Sequence, residues 1–473
     1  MVFSSYYFLF VFLPLFLLLY WTAPMRLRNA VALGGSCFFY AWGAPEFFLV
    51  VLLSLLLDFY LVRMMTLSEG KRKRRLLALA VGQNLLILFT VKYLDFFIGN
   101  LNLLLEGLSL GGIPLAKIVL PIGVSFITFQ KISYLVDCYY GKARPMENFR
   151  DHALYILLFP QLIAGPIVRF REIADQLLER RHQDTLDEKL GGLFRFIVGL
   201  AKKVLIADVL GQTADEIFAL SNHALNTPTA WVGVLAYAFQ IYFDFAGYSD
   251  MAIGLARMLA FRFPENFHFP YTARSVTEFW RRWHITLSNW MRDYLYIPLG
   301  GNRVPRRRLY FNLIVVFLLS GLWHGAAWTF VFWGAFHGFF LILERFGLGA
   351  RLAKAPRALG MAYTFGVVLV GWVFFRAQDF GFAVDYLGAL FLPQGGHLLV
   401  FTSAKFWVTM GLAAAGSFLG AFEVWERRLL RFFEAEAPPA ALVFRSAACF
   451  LLGLLCIGEL LATDFNPFIY FQF

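Results

Sequence analysis

The sequence predicts an all-α polytopic membrane protein, and three observations carry that expectation. Of the 473 residues, 59% are apolar and only 15% charged, where an ordinary soluble domain has roughly a quarter charged, so too few polar groups remain to coat a folded body in water. Apolar runs of the roughly 20 residues that a helix needs to cross a bilayer recur along the whole chain, whereas barrel strands would alternate in polarity over about 10 residues. The net charge of +11 comes from 42 Lys and Arg against 31 Asp and Glu. These basic residues sit in short loops between apolar runs, as the positive-inside rule requires. The charge therefore reports topology rather than nucleic-acid binding.

Residues 2–22 read as an uncleaved first helix with its N-terminus outside, because Arg26 and Arg28 follow it and no basic stretch precedes it. A short run at 29–43 goes outward, 47–62 returns, and the KRKRR block at 71–75 lands inside. Residues 76–97 go out, and 115–136 return to Lys142, Arg144 and Arg150. The run 152–168 is broken by Pro160 and by Gly165 with Pro166, so at membrane depth it is expected to be sheltered by protein or to line a cavity. Residues 193–210 carry Lys202 and Lys203 mid-run and read as tilted, interfacial or cavity-lining, and 230–259 return to Arg257 and Arg262. Beyond the basic block at 303–308, runs at 311–325, 328–343, 363–375, 401–422 and 440–461 alternate across the membrane. The sum is about eleven crossings with re-entrant and interfacial pieces. We read residues 1–473 as one membrane domain, motif-rich over 115–345, with C-terminal helices and an outer tail over 358–473. Both termini are expected outside. Cys37, Cys138, Cys449 and Cys456 lack CxxC spacing and nearby His, so neither a disulfide framework nor a metal site is expected.

The stretch 277–297, TEFWRRWHITLSNWMRDYLYI, is amphipathic at helical spacing. Trp280, Trp283, Leu287, Trp290, Met291 and Tyr294 share one face, and Arg281, Arg282, Asn289, Arg292 and Asp293 the other. It reads as one interfacial helix on the cytoplasmic side. His284 points into its apolar face, either as a core histidine satisfied by one hydrogen bond or as an imidazole moving protons along a tunnel. His324, in SGLWHGAAW, follows the 303–308 basic block by about 15 residues, which at 1.5 Å per residue puts it roughly 20 Å into the membrane. An ionisable group at that depth is by default functional. Gly321, Gly325, Ala326 and Ala327 leave space beside its ring, for close packing or for a narrow channel. His337 has no polar neighbour in sequence and reads as packing. Asp244, Asp250, Gln130 and Asp137 either line a polar path or join helices through buried hydrogen bonds. No HExxH, Walker loop, GxSxG or dinucleotide fingerprint is present.

The motifs SVTEFWRRWHITLSNWMRDYLYIPLGGNR, SGLWHGAAWTF, YFDFAGYSDMAIGL, LLFPQLIAGPIVRF, LPIGVSFITFQKISYLVD and NPFIYFQF, in order over nearly the whole chain, resemble the membrane-bound O-acyltransferase (MBOAT) family. Within it they resemble the alginate O-acetyltransferase (AlgI) group, which includes peptidoglycan O-acetyltransferases and is related to the D-alanyl transferase DltB. The resemblance implies the MBOAT fold around a central tunnel and a multi-pass location in the bacterial inner membrane. It implies His324 as the catalytic residue and His284 as the second family histidine, nearer the cytoplasmic entrance. No permanently bound cofactor is implied. Acetyl-CoA would be the donor substrate, its anionic phosphates drawn to Arg281 and Arg282 beside Trp280, although the same arginines suit lipid headgroups. The implied activity is O-acetylation of an extracytoplasmic polysaccharide, alginate or a similar exopolysaccharide, with peptidoglycan as the alternative acceptor. The implied partners are the polysaccharide, a periplasmic acetyltransferase or acetyl-carrier protein and the lipid bilayer, with no nucleic acid. A transporter with a histidine proton pathway is the competing class, against which stands the lack of internal repeats. Finally, the aromatic end NPFIYFQF reads either as an anchor at the membrane interface or, through the hydroxyl of Tyr470, as an acetyl carrier like the similar motif in the small partner of the D-alanyl transferase.

Overall fold

Every regular element among the described residues is a helix, the form in which a chain satisfies its own backbone where water is absent. The computed structural model describes residues 1–220, 225–432, 439–462 and 468–469. They fall into two units, 1–185 with 259–263 and 186–258 with 264–473. Among the described residues, five stretches are long and apolar enough to cross a membrane: Pro45–Thr66, Gly70–Gly107, Trp328–Lys354, Arg357–Arg376 and Leu442–Ala462. Other helices read as crossings from the sequence, such as those at 124–139 and 227–258, are almost wholly buried within their own units.

The first unit comprises α1 (Leu13–Thr22), α2 (Met25–Gly43), α3 (Pro45–Thr66), α4 (Gly70–Leu88), α5 (Leu94–Gly107), α6 (Val124–Tyr139), α7 (Phe149–Leu157) and α8 (Phe170–Leu178). A buried ion pair ties three of them together. Lys131 Nζ of α6 lies 3.1 Å from Asp58 Oδ2 of α3, Gln83 and Asn84 of α4 donate to Asp58 at 2.6 and 3.0 Å, and Lys131 donates to Ser54 at 2.8 Å. Each charge is tolerable only beside the other, and removing one partner of such a pair costs about 3–5 kcal/mol. The crossing expected from residue 115 begins only at Val124. Pro114 and Pro121 supply no amide hydrogen to a helix. Gly123 then turns the chain at φ 75°, with no room for a Cβ beside the carbonyl of Leu162. The broken run behaves as its prolines suggested: α7 stops at Leu157, a short turn spans Phe159–Gln161, and residues 151–168 are all buried.

The second unit comprises α9 (Leu186–Ala201), α10 (Asp208–Phe218), α11 (Thr227–Met258), α12 (Val276–Arg282), α13 (Ile285–Met291), α14 (Arg306–His324), α15 (Trp328–Leu343), α16 (Gly349–Lys354), α17 (Arg357–Arg376), α18 (Phe380–Phe391), α19 (Ala404–Phe418), α20 (Glu423–Phe432) and α21 (Pro439–Ala462). The 32 residues of α11 form its axis, with α9, α10, α17, α18 and α19 packed around it. Ser275, Asp379 and Ser403 accept from the third residue of α12, α18 and α19, satisfying amides that would otherwise be orphaned in an apolar setting. Asp250 of α11 sits between Arg195 (2.8 Å) and Lys202 (2.5 Å), which resolves it as a member of an interhelical network. Phe468 and Ile469 are buried in this unit. Those two residues of the tail are therefore not an anchor lying on the membrane surface.

Candidate active site

His324 is the last residue of α14 and is 5% exposed. The helix stops there because Gly325 takes an extended conformation (φ −159°, ψ 147°), and α15 starts again at Trp328. The resulting hairpin is tight. A Cβ on Gly321 would overlap the carbonyl of Phe330, and one on Gly334 that of Phe317, so the small residues allow the two helix backbones to touch. This packing puts the edge-on ring of Trp333 5.1 Å from His324, with Phe375 of α17 at 5.3 Å and Trp323 at 4.9 Å.

The segment around His284 differs from the single helix expected at 277–297. It breaks into α12 and α13, and His284 stands between them in a left-handed conformation (φ 43°, ψ 53°). The cause is Asn266, on an irregular segment between Pro264 and Pro270. The Asn266 carbonyl accepts Ile285 N–H at 2.9 Å. Its side-chain oxygen accepts from Thr286 Oγ1 at 2.9 Å and Thr286 N at 3.3 Å and lies 3.1 Å from His284 Nδ1. Asn266 thus caps α13 from outside, taking over amides that a continuous helix would bond internally. Periodicity missed the break because both halves keep their apolar faces aligned.

Asn266 also fixes the histidine tautomer. Its amide nitrogen donates to Ser249 Oγ at 3.0 Å, so its oxygen is the atom facing His284, and Nδ1 must carry the proton. Nε2 is then the basic nitrogen. Burial lowers the His284 pKa from 6.5 to about 3, which keeps the ring neutral near physiological pH. Phe245 of α11 packs edge-on against it at 4.7 Å, and Trp323 stands 6.2 Å away. The two histidines therefore share one aromatic cluster, bridged by Trp323. His337, read as packing, lies in the same cluster, 5.0 Å from Trp333 and 5.1 Å from Trp280.

A cavity of about 420 Å³ opens beside the cluster, lined by Trp280, Arg281, Arg292, Ser320 and Arg345 among others. Its size falls within the usual range for small-ligand sites, about 300–1,000 Å³. Ser320 is four residues, one helical turn, before His324 on α14. No acidic side chain is among the described lining residues, and of the three arginines Arg292 is shared with Asp293 at 2.8 Å. Arg282 does not line this cavity. Its guanidinium is held by Glu278 at 2.8 Å and reaches the His268 carbonyl at 3.3 Å. Tyr470 lies outside the described residues. A second, polar cavity of about 140 Å³ runs past Arg195, Lys202, Asp250, Glu265 and Asn266. At about 30 Å³ per water it holds a few waters rather than a substrate.

Asn266, Arg345, Trp333 and Phe375 escaped the sequence reading. Asn266 had one usable signal, a polar residue in a proline-bounded stretch between two apolar helices.

A family model described as MBOAT, membrane-bound O-acyltransferase family, matches residues 36–378, a span that contains both histidines and every lining residue named for the larger cavity. The chain belongs to the membrane-bound O-acyltransferase family. This MBOAT chain is 42% identical to the probable alginate O-acetylase AlgI of Pseudomonas putida over 100% of both chains. It is 37% identical to the peptidoglycan O-acetyltransferase of Helicobacter pylori, covering 82% of this chain and 79% of that one. The teichoic acid D-alanyltransferase of Streptococcus thermophilus is 28% identical, over 54% and 68% of the respective chains. As an MBOAT protein the chain is an acyltransferase with a multi-pass membrane architecture. A transporter built on the same histidines has no support left.

Proposed function

We propose that this MBOAT protein is an O-acetyltransferase of the bacterial inner membrane that moves acetyl groups from cytoplasmic acetyl-CoA to hydroxyls of an extracytoplasmic polysaccharide, alginate or a close analogue. The observation that carries this reading is the arginine-lined cavity, which reaches Ser320 one turn from His324. The arginines suit the phosphates of CoA, and the apolar and aromatic lining residues suit an uncharged thioester. Trp280 and Arg281 are among its lining residues. Arg345 and Arg292 join them, and Arg282 serves α12 instead through its pair with Glu278. Likeness to the alginate O-acetylase supports the acceptor class, and the Helicobacter pylori relative keeps peptidoglycan as the second reading.

In chemical terms His324 acts as general base. It takes the proton of an attacking hydroxyl as the oxygen bonds to the thioester carbonyl, the C–S bond breaks, and the thiolate recovers a proton from the imidazolium. Neutral His284, with its proton on Nδ1, supplies Nε2 as a relay or positions the donor. The hydroxyl that attacks first is that of Tyr470, and the resulting aryl acetate passes its acetyl group to the polymer through a periplasmic transferase. Such a relay divides one difficult transfer into two easier ones. The test is acetyl transfer from isotope-labelled acetyl-CoA by the purified chain in detergent. His324→Ala is expected to lose about 10²–10⁴-fold, and full transfer by that variant overturns the base assignment. Normal polymer acetylation by Tyr470→Phe overturns the carrier assignment alone.

A further inference from the structure

A buried charge cluster in the second unit has no role in the chemistry above. Lys203 lies in the wide turn between α9 and α10, with its side chain 2% exposed. Its ammonium stands 2.6 Å from Asp208 Oδ1 and 2.7 Å from Asp244 Oδ1 of α11. Among the described residues this ammonium lies between two carboxylates, and the other Asp244 oxygen is turned to the tail. Oδ2 accepts the backbone N–H of Ile469 at 2.8 Å. The neighbouring Phe468 ring lies 4.7 Å from the Lys203 ammonium and packs edge-on against Tyr248 at 4.8 Å. Phe468 and Ile469 are 0% and 3% exposed.

An aromatic segment that merely anchors to a membrane sits at the headgroup level and has no use for a buried carboxylate. Here the segment is gripped instead by a charge-assisted backbone bond, a cation–π contact and an aromatic edge. The grip is also close to the histidine site. Asp244 and Phe245 are consecutive on α11, the first holding Ile469 and the second packed on His284.

We infer that Lys203, Asp208 and Asp244 form a docking slot for Phe468 and Ile469 of this same chain, and that Lys203 and Asp244 are positioning residues for the acetyl transfer. The functional half of this inference rests on the reading of Tyr470 as acetyl carrier. The docking half does not.

The test uses the full chain in detergent, digested with a carboxypeptidase and followed by intact mass, alongside polymer acetylation. Digestion of the wild type is expected not to pass Ile469. Phe468→Ala, which removes the ring, and Asp244→Asn, which removes the charge on the acceptor of the Ile469 N–H, should each be trimmed past that point at least tenfold faster and acetylate polymer at least tenfold more slowly. Ile469→Val keeps the N–H and should retain both protection and activity. Phe468→Ala lies in the tail and leaves the helices intact, so it keeps the test valid if Asp244→Asn fails to fold. Trimming unchanged in both variants overturns the docking slot. Faster trimming with normal acetylation overturns the positioning role. Normal acetylation by Tyr470→Phe with a protected tail defeats the carrier reading and leaves the slot standing.

Discussion

Asn266 offers the sharpest test of how the site is built. Replacing it with alanine removes one side-chain oxygen that faces His284 Nδ1 (3.1 Å), Thr286 Oγ1 (2.9 Å) and Thr286 N (3.3 Å). The threonine hydroxyl can rotate to another acceptor, but the ring N–H and the backbone N–H cannot. Losing this acceptor for two buried donors costs about 1–3 kcal/mol each, and water entering from the adjoining polar cavity offsets part of this, giving about 3 kcal/mol in all. The catalytic effect is larger in proportion, because the Nδ1–H tautomer and the ring orientation both depend on that oxygen. Misplacement of a reacting group by about 1 Å costs on the order of 10²-fold. Asn266→Ala should therefore melt earlier and lose about 100-fold in kcat, with KM for acetyl-CoA little changed because Asn266 does not line the arginine cavity. Asn266→Asp is the control. It keeps an acceptor for both donors, the Ser249 hydroxyl can turn to donate to it, and Arg195 and Lys202 line the same cavity. That variant should stay nearer to wild type than the alanine. Thermal unfolding and steady-state acetyl transfer measure both quantities. Wild-type turnover in Asn266→Ala, or equal damage in the two variants with the fold intact, refutes the role given to this residue.

Gly321→Ala should force α14 and α15 apart, cost about 1–3 kcal/mol through overpacking and lower turnover, whereas Gly366→Ala, where a Cβ meets nothing within 4 Å, should be silent; equal melting points and rates refute the backbone contact as the support of His324. Arg345→Ala should raise KM for acetyl-CoA about 10–100-fold while leaving kcat within about threefold, since loss of one charge-assisted contact is worth about 1.5–3 kcal/mol; an unchanged KM removes Arg345 from the donor site. The lowered pKa of His284, about 3 against 6.5, means that the unfolded chain binds a proton below pH 6.5 that the folded chain refuses. Its stability contribution is therefore complete above pH 6.5 and is lost as the pH falls, by about 2 kcal/mol at pH 5; thermal unfolding of wild type and His284→Gln should converge in pH dependence only if the ring is solvated, and parallel slopes between pH 7.5 and 5 refute its burial.

Helices such as α11, α14, α15 and α21 were legible because each is an apolar run with a hard boundary. A basic block opens α14, two alanines and a glycine separate it from α15, and the acidic and proline-containing stretch after residue 432 precedes α21. The expected run at 328–343 coincides with α15, and that at 230–259 falls within a few residues of α11. The break at 152–168 was legible for the opposite reason, since proline removes a backbone donor wherever it stands. The late start of α6 and the division of 277–297 were not legible. Hydropathy integrates over a window and cannot register a single Gly123 in a left-handed turn, or an amide from residue 266 capping a helix that starts at 285.

Composition by itself determined a helical membrane protein and the sequence singled out His284 and His324, because solvent partitioning and costly intramembrane imidazoles leave their mark in one dimension, while the acyltransferase reading came from the resemblance that the ordered motifs carry. The tertiary structure alone decided which arginines line the cavity that reaches Ser320, which nitrogen of His284 is basic, and that the Ile469 N–H is held by a buried carboxylate. Those outcomes depend on groups up to 225 residues apart meeting within about 3 Å, at distances set by side-chain packing and hydrogen-bond geometry, which local sequence pattern does not encode.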